Sequence, residues 1–181
     1  MSQQQSHDCQ STIKEDQGES GKITRPRHKQ RNRSKKILYV KSLSDNAKLP
    51  ARSTPGSAGY DLCSPEQTTI PAGGNALIEI KIALLIPKGY YGRIASRSSL
   101  ALKNLLMVGG GVVDRDYNGS IGVIMFNLGK EDYIVHKHDR VAQIVFERIA
   151  TPIVVEVQSL PDTERGDNGF GSTGLNEQTQ K

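Results

Sequence analysis

Apolar residues along this chain fall in short runs that alternate with polar ones, and turn residues separate the runs. The clearest run is Leu77-Ile78-Glu79-Ile80-Lys81-Ile82, where a period of two predicts a strand with one face in a core. The same reading places strands over 37–40, 58–63, 90–94, 121–126, 133–135, 141–149 and 153–157. Pro55-Gly56, Pro71, Pro87-Lys88-Gly89 and Asn127-Leu128-Gly129 fall between runs and mark turns. Only 98–106 suits a helix of a few turns. Residues 109–122 are expected to form a β-hairpin, with Asn118-Gly119 supplying the positive φ angles of a tight type I′ turn. Many short strands without an internal repeat predict an all-β domain: a sandwich, jelly roll or barrel.

Both ends lack this pattern. Residues 1–36 are polar throughout, and apolar residues nearly vanish from Pro161 onward. The expected organisation is therefore a tail over 1–36, a β core over 37–160 and a glycine-rich arm over 161–181. Apolar residues make up 35% of the 181, and Trp is absent. That is low for a wholly folded chain, so both ends are expected to be disordered. No apolar run approaches the roughly 18 residues that a membrane-spanning helix needs, and no signal core follows Met1. Cys9 and Cys63 make no disulfide framework, which points to a reducing, intracellular compartment.

Charge is concentrated in the tail. Residues 1–36 hold nine Lys/Arg and four Asp/Glu, whereas 37–181 hold fifteen of each. Lys22 to Lys36 carries eight basic residues and no acid. Such a run reads as a nuclear-import signal for a receptor, as a grip on nucleic acid, or as a solvated arm. The tail has no aromatic residue to stack on bases, which weakens the second reading.

Chemistry gathers in a few places. In 109–122 a glycine run precedes Asp114, Asp116 and Tyr117. Bare amides beside acids and a ring suit a flat, hydrogen-bonding ligand. Arg97-Ser98-Ser99 opens the expected helix. Taken alone, Ser there reads as an N-cap; with Arg97 it also reads as an anion site. Asp139-Arg140 reads as a surface or interface ion pair, and Gln143 projects from the strand after it. His136 and His138 share a face if that strand is regular, but a third zinc ligand is not near. Gly169-Phe170-Gly171-Ser172-Thr173-Gly174 matches G-x-G-x-x-G literally. Too little chain follows for a dinucleotide fold, which leaves a flexible arm.

Taken together the chain resembles the trimeric deoxyuridine triphosphatase (dUTPase) family over 37–174, nearest its eukaryotic and large-DNA-virus branch. Five motifs occur in order: Ala58-Gly59-Tyr60-Asp61-Leu62; Gly92-Arg93-Ile94-Ala95-Ser96-Arg97-Ser98-Ser99-Leu100; Gly111-Val112-Val113-Asp114-Arg115-Asp116-Tyr117-Asn118-Gly119; Asp139-Arg140-Val141-Ala142-Gln143; and Arg165-Gly166-Asp167-Asn168-Gly169-Phe170-Gly171-Ser172-Thr173-Gly174. The resemblance implies a jelly-roll-like β-clip subunit in a homotrimer with shared active sites. It implies hydrolysis of dUTP to dUMP and pyrophosphate, which limits uracil in DNA and supplies dUMP for thymidylate. It makes Asp114 the general base. It gives Arg97, Ser98, Gln143 and Arg165 to the phosphates, and Gly111, Val112 and Gly122 to the uracil edge. Tyr117 goes to the sugar and Phe170 stacks on the base, while Ser99, Val113 and Gly171 complete the substrate-binding set. It implies Mg²⁺ held mainly by the triphosphate, with Asp61 reaching it through water. Four positions depart from the usual family sequence: Ser96 replaces Pro, while Ser99, His138 and Asn168 each replace Gly. A dCTP deaminase of the same fold lacks a catalytic acid candidate here; a non-catalytic binding module on this fold is the other alternative.

Overall fold

The computed structural model describes residues 36–168. Among them run eleven strands and one helix: β1 Tyr39–Ser42, β2 Tyr60–Cys63, β3 Thr68–Ile70, β4 Asn75–Glu79, β5 Ile82–Leu85, β6 Tyr90–Ala95, α1 Ser98–Asn104, β7 Leu106–Gly109, β8 Val112–Val113, β9 Gly122–Asn127, β10 Tyr133–Val135 and β11 Arg140–Arg148. All pairings between strands are antiparallel. A four-stranded sheet runs β2-β11-β6-β8 and a three-stranded one β4-β9-β7, with β1-β5 and β10-β3 as smaller pairs. The all-β expectation therefore holds.

The core is aliphatic. Leu62, Ile78, Ile80, Ile82, Ile121, Val123 and Ile144 are all but inaccessible. β-Branched side chains pack well on pleated surfaces, and the alternating runs place them on one face. On β11 the alternation is interrupted. A bulge between Arg140 and Ala142 lets Val141 and Ala142 both point inward, and sets Gln143 opposite Asp61 on one side and Ala95 on the other.

Several sequence expectations change. The run 77–82 is two strands, because Lys81 has φ +57 between β4 and β5. Burial still alternates through the break, with Ile78, Ile80 and Ile82 inside. The chain changes partner there: β4 pairs with β9 and β5 with β1. The tight hairpin does not form. β8 pairs with β6, while β9 pairs with β4 and β7, so 110–121 is a long excursion between β7 and β9. The positive φ angles belong to Gly110 and Gly111, and neither Asn118 nor Gly119 has one. Gly119 is bare for another reason: a Cβ there would lie 2.4 Å from Tyr117 Oη.

Residues 153–157 form no strand. Ile153 and Val154 are 91% and 93% exposed, for within one chain they find no strand to pair with among the described residues. The helix starts at Ser98 with Arg97 in the cap position and no side-chain cap bond, so serine capping is not used. β10 ends at Val135, and His138 sits in the following turn with φ +71, so the two histidines share no strand face.

Candidate functional site

Two constellations gather the predicted residues. The first is a cleft of about 240 Å³ whose lining includes Ile94, Gly111, Val112, Val113, Asp114, Tyr117 and Gly122. β6 and the excursion build it together. The Ile94 amide donates to the Gly111 carbonyl at 2.7 Å, and Arg93 pairs with Val112. The Tyr117 amide closes a turn on the Asp114 carbonyl at 3.3 Å, and its hydroxyl donates to the Ser120 carbonyl at 3.0 Å. This fixes the phenol at the mouth and leaves the Asp114 side chain exposed. No hydrogen bond or ion pair engages that carboxylate among the described residues.

The glycines of the cleft are bare mainly for the chain's own sake. A Cβ on Gly111 would meet the Ile94 carbonyl oxygen at 2.6 Å, one on Gly109 the Phe126 ring at 2.3 Å, and one on Gly122 Leu77 Cδ1 at 2.8 Å. Of the run, Gly110 alone would meet nothing closer than 3.7 Å. Room for a ligand is thus not what demands Gly109, Gly111 and Gly122.

The second constellation centres on Asp61 in β2. Arg97 Nε lies 3.3 Å from its Oδ1, and Arg140 Nη1 lies 3.1 Å from its Oδ2. The Ser53 hydroxyl donates to Oδ2 at 2.9 Å. Arg97 also donates to the Arg140 carbonyl at 3.1 Å. Two guanidiniums about one carboxylate leave this trio positive, although Asp139 joins the lining beside them. They edge a cavity of about 230 Å³ floored by Leu100, Leu106, Val135 and Val141. Gln143 lies alongside: its Nε2 donates to the Ser96 carbonyl at 3.1 Å, and its Oε1 occupies the space a Cβ on Gly59 would need. Ser98 and Ser99 are exposed at the start of α1, next to Arg97. Cys63 is paired across the sheet with Arg140, and burial pushes its thiol up from the ordinary value, which keeps it protonated and weakly nucleophilic.

Asp139 and Arg140 do not pair with each other. The Asp139 carboxylate accepts the His136 amide at 2.8 Å, and Arg140 turns to Asp61. Arg140, Ser53 and Ser96 are the contributors that sequence reading left out of the site. Arg165 stands apart from both constellations, donating to the Asn168 carbonyl at 2.8 Å. Phe170 and Gly171 lie outside the described residues. Those described include no group of three His, Cys, Asp or Glu side chains fit to hold a metal.

Comparison with known proteins bears on the family and the fold. The family model described as dUTPase matches residues 45–174. A deoxyuridine 5'-triphosphate nucleotidohydrolase of Arabidopsis thaliana is 52% identical over 139 residues, covering 77% of this chain and 84% of its own. One from Monkeypox virus is also 52% identical, over 77% of this chain and 91% of its own. Among solved structures, the Staphylococcus bacteriophage 80alpha dUTPase with dUpNHpp superposes with a TM-score of 0.71 at 32% identity, over 78% of this chain and all of that one. With five motifs in order, this fold beneath them and half of the aligned residues shared with such relatives, the chain belongs to the dUTPase family.

Proposed function

We infer that the protein hydrolyses dUTP to dUMP and pyrophosphate, with water attacking the α-phosphorus. The observation that carries this is the pairing of a nucleoside-sized cleft, with an uncommitted Asp114 at its edge, and a cationic cluster on Arg97 and Arg140. A cleft of about 240 Å³ is smaller than most drug-sized sites. It suits one pyrimidine and its sugar, and leaves the triphosphate to bind elsewhere.

In this reading backbone groups of Gly111, Val112 and Gly122 meet the uracil edge, with Val113 beside them in the cleft. A site that pairs one hydrogen-bonding edge rejects cytosine because mismatched donors are left unsatisfied. Tyr117, held by Ser120, packs on the sugar and leaves no room for a 2′-hydroxyl. Arg97, Ser98, Ser99, Gln143 and Arg165 hold the phosphates, with Phe170 and Gly171 of the arm closing over the base. Closure excludes water that would screen these charges. Asp114 orients the attacking water and takes its proton, a role that contributes about 10²–10⁴-fold. Electrostatic stabilisation supplies most of the remainder.

Mg²⁺ fits this donor set in one way only. The cluster offers Asp61, which two arginines and a serine already engage, while Asp139 on the same cavity accepts the His136 amide. Magnesium keeps several waters and binds through one or two carboxylates plus substrate phosphates. Asp61 would therefore hold it through water, and the triphosphate would hold it directly. Bound there, the ion neutralises charge on the leaving pyrophosphate.

The active form is a homotrimer with shared sites, and the exposed apolar sheet face formed by Leu77, Met107, Ile124 and Phe126 supports self-association. No helix among the described residues is long and apolar enough to cross a membrane. Within the organisation 1–36, 37–160 and 161–181, the basic run Lys22–Lys36 acts as an address for the nucleus, read by an import receptor, or as a nucleic-acid contact. Removing residues 1–34 then changes location in cells and leaves turnover alone. The decisive assay is pyrophosphate release with Mg²⁺ from dUTP, dCTP, dTTP and UTP. Release from dUTP alone is expected; release from none would leave only a binding role.

A further inference from the structure

We propose that Ser96 is a positioning residue of the substrate site, its hydroxyl holding the strand that leads to the base cleft against the turn that carries Arg97. The proposal rests on the dUTPase reading above and deepens it.

β7 is an outer strand of the β4-β9-β7 sheet, so alternate amides face away from β9. One of these, the Val108 amide, donates to Ser96 Oγ at 2.8 Å. Ser96 follows directly on β6 of the other large sheet, which ends at Ala95. The contact is therefore a polar tie between the two sheets, made by one side chain. Both sides of it lead into the site. One residue past Val108 begins Gly109-Gly110-Gly111, which turns the chain into the cleft. One residue past Ser96 is Arg97, which grips Asp61.

The same residue is tied a second time through its backbone, since Gln143 Nε2 donates to the Ser96 carbonyl at 3.1 Å. Neither tie depends on substrate. They place Gln143, Arg97 and the glycine run before dUTP arrives, which lowers the ordering cost of binding. Where alanine replaces Ser96, the Val108 amide loses its acceptor in a part-buried setting. β7 is then free to shift, and the loss is expected in binding because the substitution removes no bond to Asp114.

The test compares wild type, Ser96→Ala and Ser96→Thr, each as the full chain with dUTP and Mg²⁺. It reads KM and kcat, together with hydrogen exchange of the Val108 amide. One hydrogen bond of this kind corresponds to roughly a two- to tenfold effect. Ser96→Ala is expected to raise KM about three- to tenfold with kcat within about twofold, and to speed exchange at Val108. Threonine keeps the hydroxyl and is expected to restore both. An unchanged KM in Ser96→Ala, a raised KM without faster exchange, or failure of threonine to restore would each overturn the positioning role. A wild-type chain that releases no pyrophosphate from dUTP would overturn the dUTPase reading itself, a separate result.

Discussion

Asp61 and Asp114 are both aspartates in site motifs, and their surroundings give them different work. Asp61 is engaged by Arg97, Arg140 and Ser53, which hold it in one place. Asp114 is exposed and has no side-chain partner among the described residues. A carboxylate with open lone pairs is the one able to accept a proton from water. Asp114→Asn keeps the shape and removes that capacity. Its kcat for dUTP is expected to fall by about 10²–10⁴-fold, while the Kd for a non-hydrolysable dUTP analogue stays within about threefold. Steady-state kinetics beside calorimetric titration of the analogue check the pair. His138 is a residue-scale compromise of another kind: it takes φ +71, where the family usually has glycine, and its ring meets the Asn46 carbonyl at 3.2 Å. This ring contact offsets part of the left-handed cost, on the order of 1–2 kcal/mol.

At the scale of elements, the excursion between β7 and β9 depends on two adjacent glycines with different constraints. Gly111 has φ +92 and the Ile94 carbonyl oxygen 2.6 Å from where a Cβ would be; Gly110 has φ +65 and only an ordinary contact, Ile124 Cδ1 at 3.7 Å. Gly111→Ala combines backbone strain with a clash against main chain and is expected to cost about 2–4 kcal/mol. Gly110→Ala carries the left-handed cost alone, about 1–2 kcal/mol. Thermal melts of the two variants check this order, and the reverse order would contradict the geometry. The glycine run is legible in the sequence as a feature of the candidate cleft, but its reason is not, since Ile94 and Phe126 approach it only in the folded sheets. Strand 133–135 and the burial alternation at 77–82 were legible because both follow from local pattern. The break at Lys81 was not, because it reflects which strand each half pairs with. Arg140 reads as the partner of its neighbour Asp139 for a similar reason: its actual partner, Asp61, is 79 residues away. Across β6 and β11, Arg93 and Tyr91 hold the Glu147 carboxyl below the usual glutamate range of about 4.3. A depressed folded pKa gives stability that is present above the unfolded value and lost as pH falls through the folded one. Melting temperatures of wild type and Glu147→Gln should therefore converge below about pH 4 and separate near neutrality, with wild type higher.

For the whole molecule, the question is how one chain leaves so much apolar surface uncovered. Among the described residues the buried ones end at Ile144, well before the arm. Deleting 165–181 is therefore expected to leave the melting temperature within a few degrees while kcat/KM for dUTP falls at least 10²-fold. Between the core and that arm, Ile153, Val154, Val155 and Val157 are all more than half exposed, and 153–157 has strand character without a strand partner. Leu77, Ile124, Met107 and Phe126 add an exposed face on the three-stranded sheet. Monomers rarely leave contiguous apolar surface of this kind in water. A trimer would cover it with other copies of the chain, and covering it by strand pairing would also satisfy the free backbone groups of 153–157. Placing charge at two of these positions, Ile153→Asp with Val155→Asp, desolvates carboxylates wherever the segment docks. Sedimentation equilibrium should then find wild type at three times the chain mass and the double variant shifted toward one, with dUTP turnover lost in parallel because shared sites come apart. A double variant that stays at three chains would show that 153–157 is not what joins them, and a wild type at one chain mass would remove the shared site altogether.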